Sequence, residues 1–181
     1  MNDTTIKIPS ELFALAESSH YEGSTELPLL SAGPDDYTFS EPVKWYVDIT
    51  NTGSALLVSG RAEGQGTCAC SRCLEDVSFD FEGDIEGYFL IHAGSQDEFD
   101  DGEDEFGEDE FDVLPDDHII DILPLIKAAF IVDAPDQPLC KDDCAGLCPQ
   151  CGANLNEGDC GCDEALDPTN PFSVLAGLKF D

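Results

Sequence analysis

Nine cysteines stand in a chain of 181 residues, and their spacing suggests chemistry. Cys68, Cys70 and Cys73 form a C-x-C-x-x-C group. Cys140, Cys144, Cys148, Cys151, Cys160 and Cys162 follow with gaps of three, three, two, eight and one residues. Met1 to Pro9 has neither the basic start nor the apolar run of a secretory signal, so a cytoplasmic setting is expected, where such density points to metal thiolates ahead of disulfides. The most specific piece is Cys148-Pro149-Gln150-Cys151-Gly152. Two residues between the sulfurs and a glycine after them allow the knuckle turn, whose backbone amides can donate to thiolates.

Zinc takes four ligands in a tetrahedron. Cys148 and Cys151 are within reach of Cys160 and Cys162 through a loop of eight residues. Cys140 and Cys144 then need another pair, which Cys70 and Cys73 supply by closing a long loop, and Cys68 is left over. A rival division places Cys140, Cys144, Cys148 and Cys151 on one ion, and four thiolates can also hold an iron–sulfur cluster. Two structural zinc ions are the expected cofactors, because four sulfurs at each leave no position open for water. A closed zinc tetrathiolate carries a local charge of about −2. Arg72 and Lys141 stand where they could offset it.

No other residues assemble into a reaction centre. His20, His92 and His118 lack neighbours that suggest a nucleophile and base, and Gly60, Gly64 and Gly66 do not follow the spacing of a phosphate loop but read as bends in a sheet. The chain is expected not to be an enzyme.

The elements that must position the cysteines are mostly strands. Val43, Trp45, Val47 and Ile49 alternate with polar or amphipathic residues, the period of a half-buried strand, and Asn51-Thr52-Gly53 turns the chain into a second apolar run at Ala55 to Val58. Val77, Phe79 and Phe81 alternate again, and Tyr88 to Ile91 make a further strand. Ser10 could cap a short helix with Leu12, Phe13, Leu15 and Ala16 on one stripe. Asp121 is expected to cap a helix with Ile122, Leu125, Ile126, Ala129 and Phe130 on one face and Pro124 in its first turn. Asn170-Pro171-Phe172, with Leu175 and Leu178, reads as a short amphipathic helix. The fold class is therefore α+β, an antiparallel strand meander packed by one or two helices, with a cysteine-rich zinc-knuckle segment. Residues 1–135 form the strand-rich core and 136–181 the knuckle segment and terminal helix, packed on that core.

Forty acidic residues against seven basic ones give a formal charge of −33. Lys7, Lys44, Arg61, Arg72, Lys127, Lys141 and Lys179 are scattered, so no basic groove for RNA or DNA is expected, and a basic protein partner fits better. Residues 97–112 hold eleven of the acids, with Asp-Glu-Phe repeated from Asp97, Asp104 and Asp109. This tract is expected to be a disordered insertion, and its Phe99, Phe106 and Phe111 could serve as short interaction points. The apolar run Ile119 to Val132 is broken by Asp121, Pro124 and Lys127, which argues against a membrane span.

Three separated pieces resemble one family: Cys70-Ser71-Arg72-Cys73-Leu74-Glu75, the run from Leu139-Cys140 through Cys144-Ala145-Gly146-Leu147-Cys148 to Asn154-Leu155-Asn156, and Asn170-Pro171-Phe172 with Leu175 to Lys179. Together they look like the YceD-like proteins, the large ribosomal RNA subunit accumulation family. The resemblance implies a bacterial or plastid factor needed for accumulation or processing of large-subunit (23S) ribosomal RNA, frequently encoded beside a small basic ribosomal protein. Joined to the charge argument, it makes a basic ribosomal protein the expected partner in ribosome biogenesis. A generic zinc-stabilised interaction module is the alternative, and a metalloenzyme ranks last.

Overall fold

Alternation of apolar and polar residues becomes strand pairing in the computed structural model of the protein, which describes residues 4–91 and 112–162. The elements in chain order are β1 (Thr5–Lys7), a 3-10 turn (Ser10–Phe13), β2 (Ser18–Thr25), β3 (Leu29–Ala32), β4 (Asp35–Phe39), β5 (Val43–Asn51), β6 (Ala55–Ala69), β7 (Asp76–Leu90), β8 (Asp112–Val113), β9 (Ile119–Asp121) and the helix α1 (Leu123–Asp133). Strands β2 to β8 form one sheet in the order β2-β5-β6-β4-β3, with β7 on the other edge of β6 and β8 beside β7. The pairs are antiparallel except β7 with β8. A small second sheet pairs β1 with β9.

The spine of the molecule is the β6–β7 hairpin, two strands of 15 residues each, in register from Ala55 opposite Leu90 to Ala69 opposite Asp76. Its tip, residues 70–75, carries the first cysteine pair. One face of the sheet is dry: Val43, Val47 and Ile49 of β5 are fully buried, as are Val58 and Ala62 of β6 and Ile85 of β7. Each large aliphatic so placed contributes roughly 1.5–3 kcal/mol. The other face is wet, with Lys44, Tyr46, Glu63, Asp80, Glu82, Asp84 and Glu86 exposed.

Helix α1 packs on the dry face and buries Ile126, Ala129 and Phe130. The Phe130 ring stacks on Phe39 at 5.7 Å and lies 5.3 Å from Phe81, itself edge-on to Tyr37 at 5.1 Å. The helix comes so close because β7 presents Gly83 beneath it: a Cβ there would sit 2.8 Å from the Ala129 carbonyl carbon. The helix begins one residue later than the periodicity implies, at Leu123, so the cap position falls on Ile122 and not on Asp121, which stands one residue before it with its Oδ1 accepting the Leu123 N–H at 3.0 Å.

Several expectations need correction. Ser10 opens only a 3-10 turn that buries Leu12 and leaves Leu15 73% exposed; Ala16 leaves the helical region at φ 64°, so no helical stripe forms. Asn51 holds that turn, its side-chain amide donating to the Leu12 carbonyl at 2.9 Å. Val77 to Phe81 and Tyr88 to Ile91 are not two strands but parts of one, because β6 gives a continuous partner. Gly60, Gly64 and Gly66 are not bends; they lie inside β6 where Tyr46 backbone, Val43 and the Phe39 and Phe81 rings press against the strand. Asp112, assigned to the acidic insertion, pairs with Phe89 in β8. The rest of that tract, residues 97–111, and the expected helix near 170–179 lie outside the described residues.

Candidate metal centre

The tip of the β6–β7 hairpin is shaped by its own backbone. Cys70 N–H donates to the Glu75 carbonyl at 2.8 Å, Leu74 N–H to the Cys70 carbonyl at 2.9 Å, and Leu74 takes a left-handed φ of 62°. This places Cys70 and Cys73 on one side of the turn. The chain beyond α1 is held against it by Ser71 N–H on the Pro138 carbonyl at 2.8 Å and Leu147 N–H on the Arg72 carbonyl at 3.2 Å. Gly146, at φ 75°, lets the backbone pass, since a Cβ there would be 3.1 Å from the Arg72 oxygen. Cys140 and Cys144 thereby reach the hairpin tip.

The sulfurs of Cys70, Cys73, Cys140 and Cys144 all lie within 4.8 Å of one another. Cys70 to Cys144 is 3.9 Å and Cys73 to Cys140 is 3.6 Å. A tetrahedron of sulfurs on zinc, with bonds near 2.3 Å, has edges of about 3.8 Å, so the quartet could hold such an ion. Cys70, Cys73 and Cys144 are buried and Cys140 is exposed.

The second quartet is built locally. Cys148 N–H donates to the Ala153 carbonyl and Gly152 N–H to the Cys148 carbonyl, both at 2.8 Å, with Gly152 at φ 74°. These bonds make a tight turn at Cys148 to Gly152. Gly161, at φ 70°, bends the chain between Cys160 and Cys162, and the sulfurs of Cys148, Cys151, Cys160 and Cys162 also lie within 4.8 Å of one another. Cys148 is buried, Cys160 and Cys162 are half-buried, and Cys151 is exposed.

Hydrogen-bond donors make some of these sulfurs acidic: Cys144 is lowered chiefly by the Asn156 amide, and Cys70 and Cys148 by backbone N–H groups. The N–H groups of Cys73, Arg72 and Cys140 bring the Cys70 thiol down to about 6, against the opposing effect of burial. Those of Cys151 and Gln150 do the same for Cys148, also to about 6. At the other extreme, the neighbouring sulfurs Cys151 and Cys160, together with burial, hold Cys162 up to about 12. Four thiols crowded in this way share protons unequally, and a divalent cation would displace them.

The eight sulfurs thus fall into the quartets 70/73/140/144 and 148/151/160/162, and the rival grouping of Cys140, Cys144, Cys148 and Cys151 is not the one the fold makes. Cys68 belongs to neither; it lies at the end of β6 in the hydrophobic core, beside Tyr37. Arg72 acts at the first quartet through its guanidinium, which donates to the Cys144 carbonyl at 3.0 Å. Lys141 instead faces Asp143 at 4.0 Å on the surface. The residues without an assigned role in the sequence were Glu75, Asn154 and Asn156. Asn156 Nδ2 donates to Cys144 Sγ at 3.3 Å, and Asn154 Nδ2 to Glu75 Oε1 at 2.9 Å. The Asn-Leu-Asn run directly after the knuckle was the available signal. Of the histidines, His20 pairs with Asp48 at 2.9 Å and His118 packs on Phe13, so neither joins a quartet, and His92 lies outside the described residues.

The described residues thus form a mostly antiparallel sheet with one packed helix and two cysteine quartets that could hold metal ions. The chain matches the family described as large ribosomal RNA subunit accumulation protein YceD over residues 58–179, and it belongs to that family. Uncharacterized proteins of Mycobacterium bovis and of two Mycobacterium tuberculosis strains are 31% identical over 120 residues, covering 66% of this chain and 55% of theirs. The chain thus spans about half the length of the curated relatives it matches. No solved structure matches it. Among the described residues no helix is long and apolar enough to cross a membrane.

Proposed function

We propose that this protein is a non-enzymatic factor in the accumulation of large-subunit ribosomal RNA, that it acts by holding a basic ribosomal protein, and that each quartet carries a structural zinc ion. The partner assignment rests on one observation. The wet face of the sheet is acidic: Asp80, Glu82, Asp84 and Glu86 project in succession from β7 beside Glu63, and the Arg61 they surround is already paired with Asp84 at 3.0 Å. Such a face repels phosphate and attracts lysine- and arginine-rich surfaces. The family description supplies the ribosomal setting. Four thiolates at each quartet leave no ligand position open for water, which favours a structural ion over a catalytic one, and the Cys148-Pro149-Gln150-Cys151-Gly152 spacing favours zinc over iron.

Mixing the purified chain with individual large-subunit ribosomal proteins after nuclease treatment tests the reading. A complex with a basic ribosomal protein that survives nuclease and weakens with added salt is expected. Depletion should lower large-subunit relative to small-subunit ribosomal RNA. Recovery of ribosomal components only through RNA, or unchanged ribosomal RNA on depletion, would overturn it.

A further inference from the structure

The loop between Cys151 and Cys160 belongs to the second quartet by sequence, yet its polar side chains serve the first. Asn156 Nδ2 donates to Cys144 Sγ at 3.3 Å and to Asn154 Oδ1 at 2.9 Å, while Asn156 Oδ1 accepts the Ala145 N–H at 2.9 Å. Asn154 reaches further, to Glu75 on the hairpin tip. Leu155 N–H on the Gly146 carbonyl at 2.9 Å, and the bridge of Leu147 with Asn154, tie the same loop to the segment between Cys144 and Cys148. The two quartets therefore share one hydrogen-bonded unit.

We infer that the quartets load metal as a coupled pair and that Asn156 is the positioning residue that couples them. The inference rests on the metal reading above. A cation on Cys148, Cys151, Cys160 and Cys162 closes the loop at both ends and fixes Asn156 where its amide meets Cys144. A donor on a metal-bound thiolate orients the sulfur and spreads its charge, which matters in a chain this acidic. Linkage then makes the effect reciprocal: an ion in the first quartet, by drawing Cys144 into place, organises the loop for the second. Asn156 also fits the role chemically, because its amide gives a donor to sulfur and an acceptor to Ala145 from one planar group.

Competition for Zn²⁺ against a chelator, in the full chain, measures the first quartet's affinity in the native protein, in Asn156→Asp and Asn156→Ala, and in a Cys151→Ser/Cys162→Ser double variant. The expected result is a fall of about 10–100-fold for the Asn156 variants, and a fall also when only the second quartet is disabled. A first-quartet affinity indifferent to loss of the second overturns the coupling, and one indifferent to Asn156 overturns that residue's part in it. Should the variants fail to fold, the native chain loaded with NMR-active cadmium decides: the Asn156 side-chain amide protons should show scalar coupling to the ion through the sulfur of Cys144, and its absence at full loading overturns the assignment. Two tight, independent sites sink the coupling alone, whereas a native chain that takes up no metal sinks the metal reading with it.

Discussion

Tyr37 is fully buried, and its hydroxyl lies beside the Cys68 thiol yet has no hydrogen-bond partner among the described residues. Burial first, then Cys68 and Asp35, push that phenol up from 10.0 to about 12. A raised acid favours the protonated folded state, so its contribution is complete below pH 10 and is lost as pH rises through about 12. Tyr37→Phe should flatten this alkaline loss. At neutral pH it should leave stability unchanged or raise it by up to about 1 kcal/mol, since it removes an unpaired buried hydroxyl. Urea melts at neutral pH and at pH 11 check both; a loss of several kcal/mol at neutral pH would show that the hydroxyl is needed. Cysteine changes act differently. Cys70→Ser and Cys148→Ser should each lose one equivalent of zinc by metal analysis and hold the remaining one more weakly against a chelator; two equivalents retained in either variant would overturn the assignment of its quartet.

At the scale of elements, the contact of α1 with β7 is the most demanding in the fold. Gly83→Ala places a methyl 2.8 Å from Ala129 and must push the helix off the sheet. Overpacking of this kind costs about 1–3 kcal/mol. Phe130→Ala leaves a cavity among Phe39 and Phe81 and should cost about 3–5 kcal/mol. Thermal melts of the two variants, with metal analysis, separate helix packing from the cysteine sites; metal loss in Gly83→Ala would mean that the helix positions Cys140. Alternation made β5 readable because one of its faces is wholly buried. Six strands were not readable: β2 alternates only between exposed and half-buried residues, β3, β4 and β8 are too short for a period, and β1 and β9 depend on pairing with each other across more than a hundred residues. The 3-10 turn at Ser10 was misread as a helix for a related reason, since Asn51, distant in sequence, ends it.

For the whole molecule, the first quartet is the clasp. It joins the β6–β7 tip to the segment after α1, a loop of more than sixty residues between Cys73 and Cys140, whereas the second quartet closes only its own neighbourhood. Chelation should therefore lower the melting temperature and make residues beyond 136 sensitive to protease before the sheet yields. Equal protection with and without chelator would deny the clasp. Self-repulsion among charges summing to −33 should also make the chain more stable as salt rises from low ionic strength, read as an upward shift in melting temperature.

Composition and spacing by themselves determined the acidity, the tight turn at Cys148 to Cys151, the central strands and the helix face, because each is written in residues close along the chain. Spacing left two divisions of the cysteines open, since sequence distance does not say which turn faces which. Only the tertiary structure decided that Cys70 and Cys73 meet Cys140 and Cys144, that Cys68 goes into the core, and that Asn156 reaches across to a sulfur of the other quartet. Those contacts depend on a hairpin of two 15-residue strands carrying its tip to a segment nearly seventy residues away, a reach set by register and packing and not by any local preference.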